Sequence, residues 1–561
     1  MDRAGKYAPG FFVPPQADCG WMNRTQIDKA PVWCSVDLRD GNQALAVPMS
    51  LDEKLAFFKM LLEIGFKEIE VGFPAASETE YEFLRRIIDD GLAPKDVTIQ
   101  VLTPARPEII RRTYQALDGA GNAIVHLYNA TSPAAREVVF HKSKKEVLDI
   151  ALTGAECIKE LAGEFEGNFR FEYSPEHFTA TEPEYALEVC NAVLEAWRPA
   201  PDRKAIINLP ATVSLSMPHV YGMQVAYMDK NLLFRDCVTI SLHPHNDRGS
   251  GVADAEMGLL AGGERVEGTL FGNGERTGNV DLVTVAMNMY AQGVDPGLDF
   301  SDMPKVVSMY EEATGMRVYE RQPYSGELVF AAFSGSHQDA IAKGIERHRL
   351  GSDEHWNVPY LPIDPTDIGR EYENSVIRIN SQSGKGGVGY MLAQRYGYHV
   401  PPKMLPNVGR TIKEASDKLH KELLPEELFE IFHAEYVNYF KPLDITEAYF
   451  NNLPEGMIDA RIVVVLDRGD PKMYSGRGNG HLNAVANALK SHLGYKFHLN
   501  FYSEHAIDSE SGTSAQAAAY VGIDCGGRET IWGIGSHSDI MAASVNALVS
   551  AINRMEKMNN E

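Results

Sequence analysis

From residue 31 the chain repeats one pattern eight times: a short run of β-favouring residues, a polar turn, then a stretch with helical spacing. The β-like runs are VWCSVDLRD (32–40), KEIEVGFP (67–74), VTIQVLTP (97–104), AIVHLYNAT (123–131), FRFEYSPEH (169–177), KAIINLPAT (204–212), VTISLHPHND (238–247) and RVEGTLFGNGE (265–275). Strands that alternate with helices pair in parallel. Eight such units ending near residue 310 match a closed (β/α)8 TIM barrel, with an open doubly wound α/β sheet as the rival. The stretches between the runs carry helix signals. In SLDEKLAFFKMLLEIG, Ser50 stands at the N-cap with Glu53 three residues on, a capping box, and Leu55, Phe58, Leu61 and Leu62 follow helical spacing. SKKEVLDIALTGAECIKELAG reads the same way. Each run begins apolar and ends polar. In a barrel those ends gather on the C-terminal face, where active sites sit.

The chain has 561 residues, too many for one core. The sequence divides into an N-terminal arm (1–30), the barrel (31–310), a helical linker region (311–440) and a C-terminal α/β domain (441–561). The linker region holds the helical stretch PEELFEIFHAEYVNYF and a long loop, GSDEHWNVPYLPIDPTDIGREYE. The last part contains a repeat: GRGNGHLNAVANALKS (476–491) is echoed by GIGSHSDIMAASVNALVS (533–550). Each reads as a Gly-x-Gly turn entering a helix, preceded by a β-like run, DARIVVVLD or QAAAYVGID. Two strand-strand-helix copies make a pseudo-symmetric domain.

Charge and cysteine usage exclude several classes. A net charge of −24 argues against a general nucleic-acid binder, which needs a basic surface. No apolar run is long enough to span a membrane, and the first residues lack the apolar stretch of a signal peptide. The six cysteines are widely spaced with no CxxC pair, so a disulfide framework or Cys-type zinc site is not expected, and a reducing compartment, the cytoplasm, is.

The chemistry collects at the strand ends. His243 and His245 end the seventh run, and residues i and i+2 of a strand point the same way. Alone, His-x-His is either half a metal site or a hydrogen-bonded strand end. The first run ends Asp37-Leu-Arg39-Asp40, and the loop after the eighth, GNGERTGN, ends at Asn279. Strands 7, 8 and 1 of a closed barrel are neighbours, so Asp40, His243, His245 and Asn279 converge as an oxygen and nitrogen set suited to Mg²⁺, Mn²⁺ or Zn²⁺. Arg39 either pairs with Asp37 or Asp40 or binds a substrate carboxylate, and Gln43 either polarises a carbonyl or bonds within its loop. His126, Ser174, Glu176 and Thr212 end runs four to six and line the rest of the rim. The glycines of FGNGERTGN miss the dinucleotide-binding spacing, and GKGGVG (384–389) lacks the P-loop ending and reads as a flexible turn.

Together, DLRDGNQAL, SLHPHNDRG and GTLFGNGERTGNVDLV resemble the 2-isopropylmalate synthases, in the longer form with a C-terminal leucine-sensing domain. The resemblance covers nearly the whole chain. It implies condensation of acetyl-CoA with 3-methyl-2-oxobutanoate and thioester hydrolysis, the first committed step of leucine biosynthesis. It also implies a divalent metal held by Asp40, His243, His245 and Asn279, with K⁺ as an activator. By the same resemblance Arg39 stabilises the 2-oxo acid, and His126, Ser174 and Thr212 contact substrate. Glu176 is the catalytic acid position, although Glu172 in the same run is a possible confusion. His337 of SGSHQDAI and Tyr372 of GREYE match a catalytic pair that the linker region delivers into the barrel of a partner subunit, which implies a homodimer. The C-terminal repeat matches the regulatory domain, where glycine turns near Gly533, Gly535 and Ser536 offer backbone N–H groups to the carboxylate of inhibitory leucine. Homocitrate or citramalate synthases share these strand ends, as does a carbon–carbon lyase. A carboxyltransferase barrel would need a metal-bridging lysine, which no strand end offers. The non-enzyme alternative is a metabolite sensor.

Overall fold

In the computed structural model the eight expected strands close, in sequence order, into a parallel barrel. They are β1 (Val32–Ser35), β2 (Glu68–Gly72), β3 (Thr98–Pro104), β4 (Ala120–Ala130), β5 (Gly167–Glu176), β6 (Ala205–Ala211), β7 (Val238–Pro244) and β8 (Arg265–Gly268). β1 pairs with both β2 and β8, which excludes the open sheet. The structure describes all residues except 1–3, 16–18, 333, 352–353, 373–384, 420–422, 508–514, 527–528 and 561.

A helix follows each strand: α1 (Leu51–Ile64), α2 (Glu78–Asp89), α3 (Pro107–Leu117), α4 (Lys144–Leu161), α5 (Pro183–Trp197), α6 (Pro218–Asn231), α7 (Gly251–Leu260) and α8 (Leu282–Tyr290). The expected start of α1 is present. The Glu53 carboxylate accepts from the Ser50 backbone N–H at 2.7 Å, and Ser50 Oγ accepts from the Glu53 N–H at 3.4 Å. Ser143 and Glu146 start α4 in the same way. α1 stops at Gly65, whose φ of +108° favours glycine. Phe57, Phe58 and Leu61 turn inward and are buried.

The strand centres depart from the apolar pattern of covered parallel sheets. Glu68, Glu70, Gln100, Glu172, Arg265 and Glu267 are all buried. Arg265 of β8 donates to Glu68 of β2, and Gln100 of β3 donates to Glu267 of β8. Contacts between non-adjacent strands place these groups inside the barrel, beneath its C-terminal rim.

The N-terminal arm lies on the barrel: Gln224 Nε2 donates to the Phe12 carbonyl at 2.8 Å and Arg24 Nη1 to that of Leu260 at 3.1 Å. The barrel unit continues past residue 310, through α9 (Met303–Thr314) to Val329, and takes in Pro365–Glu371.

The second compact unit comprises Phe330–Asp364 and Tyr372–Glu561. It holds α10 (Gly335–Arg349), α11 (Lys385–Tyr396), α12 (Leu405–Leu419) and α13 (Pro425–Tyr436). Lys385–Gly389 of GKGGVG therefore opens a helix rather than forming a flexible turn, while Gly384 lies outside the described residues. Two antiparallel sheets follow. One holds β9 (Leu443–Asn452), β10 (Ile458–Leu466) and β11 (Lys472–Gly478) with α14 (His481–Leu493). The other holds β12 (His498–Ala506), β13 (Ala517–Asp524) and β14 (Ile531–His537) with α15 (Ile540–Asn560). Each copy thus has three strands, not two. β9 and β12 are edge strands with mostly solvent-facing residues, so they lack an apolar signature. The repeated glycines lie in β11 and β14, not in turns. A Cβ at Gly476 would sit 2.4 Å from the backbone N of Ala488, and one at Gly535 would sit 1.9 Å from the Ala543 carbonyl. In both copies the helix backbone lies directly on the strand, and only glycine permits that approach.

Among the described residues no helix is long and apolar enough to cross a membrane. All six cysteines are free.

Candidate metal centre and substrate pocket

Four residues from three strand ends meet at one point of the rim. Asp40 lies in the wide helical turn Asp37–Gly41 that follows β1. His243 is on β7, and His245, just beyond it, forms an isolated bridge with Asn279. Asn279 is presented by a loop folded tightly on itself. A Cβ at Gly278 would meet the Gly272 carbonyl at 1.8 Å, and one at Gly274 would meet Asn279 Nδ2 at 2.3 Å. Asn279 Nδ2 donates to the Asn273 carbonyl at 2.9 Å, which fixes the amide and turns Oδ1 away.

Asp40 Oδ2 lies 3.7 Å from His243 Nε2 and 3.6 Å from His245 Nε2. Asp40 Oδ2 and Asn279 Oδ1 are both buried without a hydrogen-bond partner among the described residues. Buried acceptors left unpaired are costly, and a cation between these groups would satisfy them. The donors are oxygen and nitrogen only, which fits Mg²⁺, Mn²⁺ or Zn²⁺. Behind the site, His243 Nδ1 lies 2.7 Å from Glu267 Oε2, so Nδ1 holds a proton and Nε2 is the atom left to face a cation. Burial disfavours charge on His243, but Asp40 and Glu267 outweigh it and push the imidazole up to about 9. Burial, then the charge of His243, hold His245 down at about 4. Burial opposes ionisation of Asp40, yet Arg39 and the two histidines keep its carboxyl well below the usual range.

Arg39 is held as a fork. Nε donates to Glu70 Oε2 at 2.6 Å and Nη1 to Asp40 Oδ1 at 2.7 Å, while Nη2 has no hydrogen-bond partner among the described residues. It therefore pairs with Asp40. The other candidate partner, Asp37, instead accepts from the Leu270 N–H and the Ser35 hydroxyl. Arg39 borders a cavity of about 210 Å³, whose other walls include Phe73, Leu102, Tyr128 and Pro210. Gln43 Nε2 donates to Asp40 Oδ1 at 3.0 Å and Glu275 Oε1 at 3.2 Å. His126 Nδ1 meets Glu70 Oε1 at 2.9 Å, and its Nε2 meets Ser174 Oγ at 2.7 Å. Thr212 Oγ1 accepts from the His177 N–H at 2.9 Å. Glu176 lines the cavity, and burial raises its carboxyl above the usual range. Glu172 does not reach the cavity; it lies inside the barrel, fully buried.

Several groups escape a reading of strand ends. Glu70, Gln100, Asn208 and Glu267 form the polar floor, and Glu275 and Arg276 line the cavity. A charge in mid-strand, as in EIEVG and RVEG, is the signal that marks the floor.

His337 and Tyr372 belong to the second unit and are not among the residues lining the cavity. His337 is exposed on α10 and stacks on Tyr360, with ring centroids 4.1 Å apart. The glycine turn expected to cradle a leucine carboxylate is instead strand β14. Gly533 and Gly535 pair with Val521 and Ala519 across the sheet. Ser536 donates from its backbone to Asn438 Oδ1 at 3.0 Å and from its hydroxyl to Gln516 Oε1 at 3.2 Å. The first amides of α15 are already engaged, because Asp539 Oδ1 accepts from the N–H groups of Met541 and Ala542 at 2.7 and 2.9 Å.

Comparison with known families covers the chain in three segments. A model described as HMGL-like matches residues 30–309. One described as alpha-isopropylmalate synthase, post-catalytic domain-like, matches 327–393, and one described as LeuA allosteric (dimerisation) domain matches 422–556. A 2-isopropylmalate synthase of Desulfitobacterium hafniense (strain Y51) is 57% identical over 558 residues, covering 99% of each chain. One of Helicobacter hepaticus (strain ATCC 51449 / 3B1) is 55% identical over 98% of this chain and 99% of its own.

Proposed function

The chain belongs to the 2-isopropylmalate synthase family, and from that premise we propose that it condenses acetyl-CoA with 3-methyl-2-oxobutanoate at the rim of its barrel. The reaction forms a bond between the acetyl methyl carbon and the ketone carbon. Water then cleaves the thioester, giving 2-isopropylmalate and CoA. The observation that carries the site assignment is the convergence of Asp40, His243, His245 and the Asn279 amide oxygen beside the fixed fork of Arg39.

HMGL-like enzymes depend on a divalent metal, and we assign Mg²⁺ here, with Mn²⁺ or Zn²⁺ as the alternatives. Bound there, the ion supplies Lewis-acid polarisation of the 2-oxo acid. The protein's own groups do the rest. Arg39, pinned by Glu70 and Asp40, directs Nη2 at the charge developing on the ketone oxygen. Phe73, Leu102 and Pro210 receive the isopropyl group, while His126, Ser174 and Thr212 orient the polar end. Removing a proton from the acetyl methyl needs a base, drawn from His337, held by Glu176, and Tyr372, which a second copy of the chain delivers. Burial raises the Glu176 carboxyl above its usual range, which suits a proton-exchanging role.

Residues 31–310 are the catalytic barrel, 311–440 the linker and 441–561 the regulatory part of a cytoplasmic homodimer inhibited by leucine. The match to the allosteric dimerisation domain supports the last two features. The test is release of CoA thiol from acetyl-CoA with a panel of 2-oxo acids, with and without EDTA, K⁺ and leucine. Release should depend on 3-methyl-2-oxobutanoate and cease with EDTA. Preference for 2-oxoglutarate or pyruvate would move the assignment to homocitrate or citramalate synthesis, and unchanged activity at millimolar leucine would remove the regulatory claim.

A further inference from the structure

We propose that Glu172, at the centre of β5, is a neutral carboxylic acid whose O–H is donated to Glu267, which makes it a positioning residue for the metal ligand His243. The proposal rests on the metal assignment above and adds a residue that never reaches the substrate cavity.

Both Glu172 oxygens are buried without a hydrogen bond among the described residues. Its nearest cationic or imidazole neighbours are Arg265 Nη1 and His126 Nε2, each at 3.5 Å. Neither of these two nitrogens has a proton left for Glu172. The two Nη1 hydrogens of Arg265 go to Ser241 Oγ at 2.8 Å and Glu267 Oε1 at 2.5 Å. His126 Nδ1 faces Glu70, and its Nε2 faces Ser174, whose oxygen accepts from Asn208 Nδ2 at 2.9 Å, which leaves the Ser174 hydroxyl proton to go to Nε2. An ionised Glu172 would therefore be a buried charge with no donor, beside a second carboxylate. Oxygens of Glu172 and Glu267 and a nitrogen of His126 all lie within 4.8 Å of one another.

The other carboxylates inside the barrel are each paired. Glu68 takes Arg265 and Arg170, Glu70 takes Arg39, and Glu267 takes Arg265 and His243. Glu172 is the one that accepts no hydrogen bond from these groups, Arg265 and His126 standing at 3.5 Å, and burial followed by the charge of Glu267 drives its carboxyl well above the usual range. A proton on Glu172 turns a repulsive pair into a hydrogen bond. It steadies Glu267, which reaches His243 with its other oxygen, Oε2.

The experiment uses the full-length enzyme in two measurements. Infrared difference spectra of wild type minus Glu172→Gln at neutral pH should contain the carbonyl stretch of a protonated carboxyl group. Mn²⁺ titration should give Glu172→Gln the wild-type dissociation constant, because its amide N–H replaces the O–H, while Glu172→Leu binds roughly tenfold more weakly. Absence of the carbonyl band shows an ionised Glu172 and overturns the proposal. Wild-type Mn²⁺ affinity in Glu172→Leu overturns the positioning role. Should the leucine variant not fold, the band and the glutamine variant's affinity decide. A wild type that binds no Mn²⁺ sinks the metal assignment and the positioning role with it, and the band still decides the proton.

Discussion

Glu267 Oε2 lies 2.7 Å from His243 Nδ1, on the far side of the imidazole from the Nε2 that faces Asp40. One carboxylate of β8 thus sets the aim of a candidate metal ligand on β7. Glu267→Gln keeps an acceptor but loses the charge. Its Mn²⁺ dissociation constant, measured by titration, should rise by roughly ten- to a hundredfold.

Arg39 makes separate bonds to Glu70 and Asp40 through Nε and Nη1, a geometry that the single ammonium of lysine cannot reproduce. Arg39→Lys should lower kcat on the order of a hundredfold, the range seen when one preorganised donor to a developing oxyanion is lost. Steady-state kinetics and Mn²⁺ titration of the same preparation separate this from metal loss, which should be slight.

Glu182 supports the loop after β4. Its two oxygens take Nη1 and Nη2 of the buried Arg136 at 2.9 and 2.7 Å. Burial opposes ionisation of Glu182, but the bonds from Arg136 and Lys144 bring its carboxyl down to about 2 from 4.5. A depressed carboxyl stabilises the fold above its unfolded value, and that stability is lost as pH falls from about 4.5 towards 2. Glu182→Gln should destabilise the barrel by about 2–3 kcal/mol at neutral pH and flatten its stability over that acid window, as read by denaturant titration at several pH values.

Gly535 has no room for a side chain beneath α15, because a Cβ would sit 1.9 Å from the Ala543 carbonyl. Gly535→Ala should destabilise the C-terminal sheets by about 1–3 kcal/mol. In calorimetry the transition of that domain should fall in temperature while the barrel transition stays in place.

The barrel was legible because each strand runs from apolar to polar, and the candidate ligands sit at the polar ends. Asp40, His243, His245 and Asn279 needed only the neighbour relation of strands 7, 8 and 1 to converge. The floor was not legible, since Glu70, Gln100, Arg265 and Glu267 meet across the barrel, and local periodicity carries no information about which distant strands face each other. In the C-terminal domain, the edge strands β9 and β12 lack an apolar run. The glycines of β11 and β14 look like turn residues, yet close helix packing requires them.

The most direct test of the rim assignment is the number of Mn²⁺ ions bound per chain at equilibrium in the wild type, Asp40→Asn, His243→Ala and His337→Ala. One ion per wild-type chain, retained in His337→Ala and lost or greatly weakened in the other two, is the expected result. Equal binding in wild type and His243→Ala would contradict it.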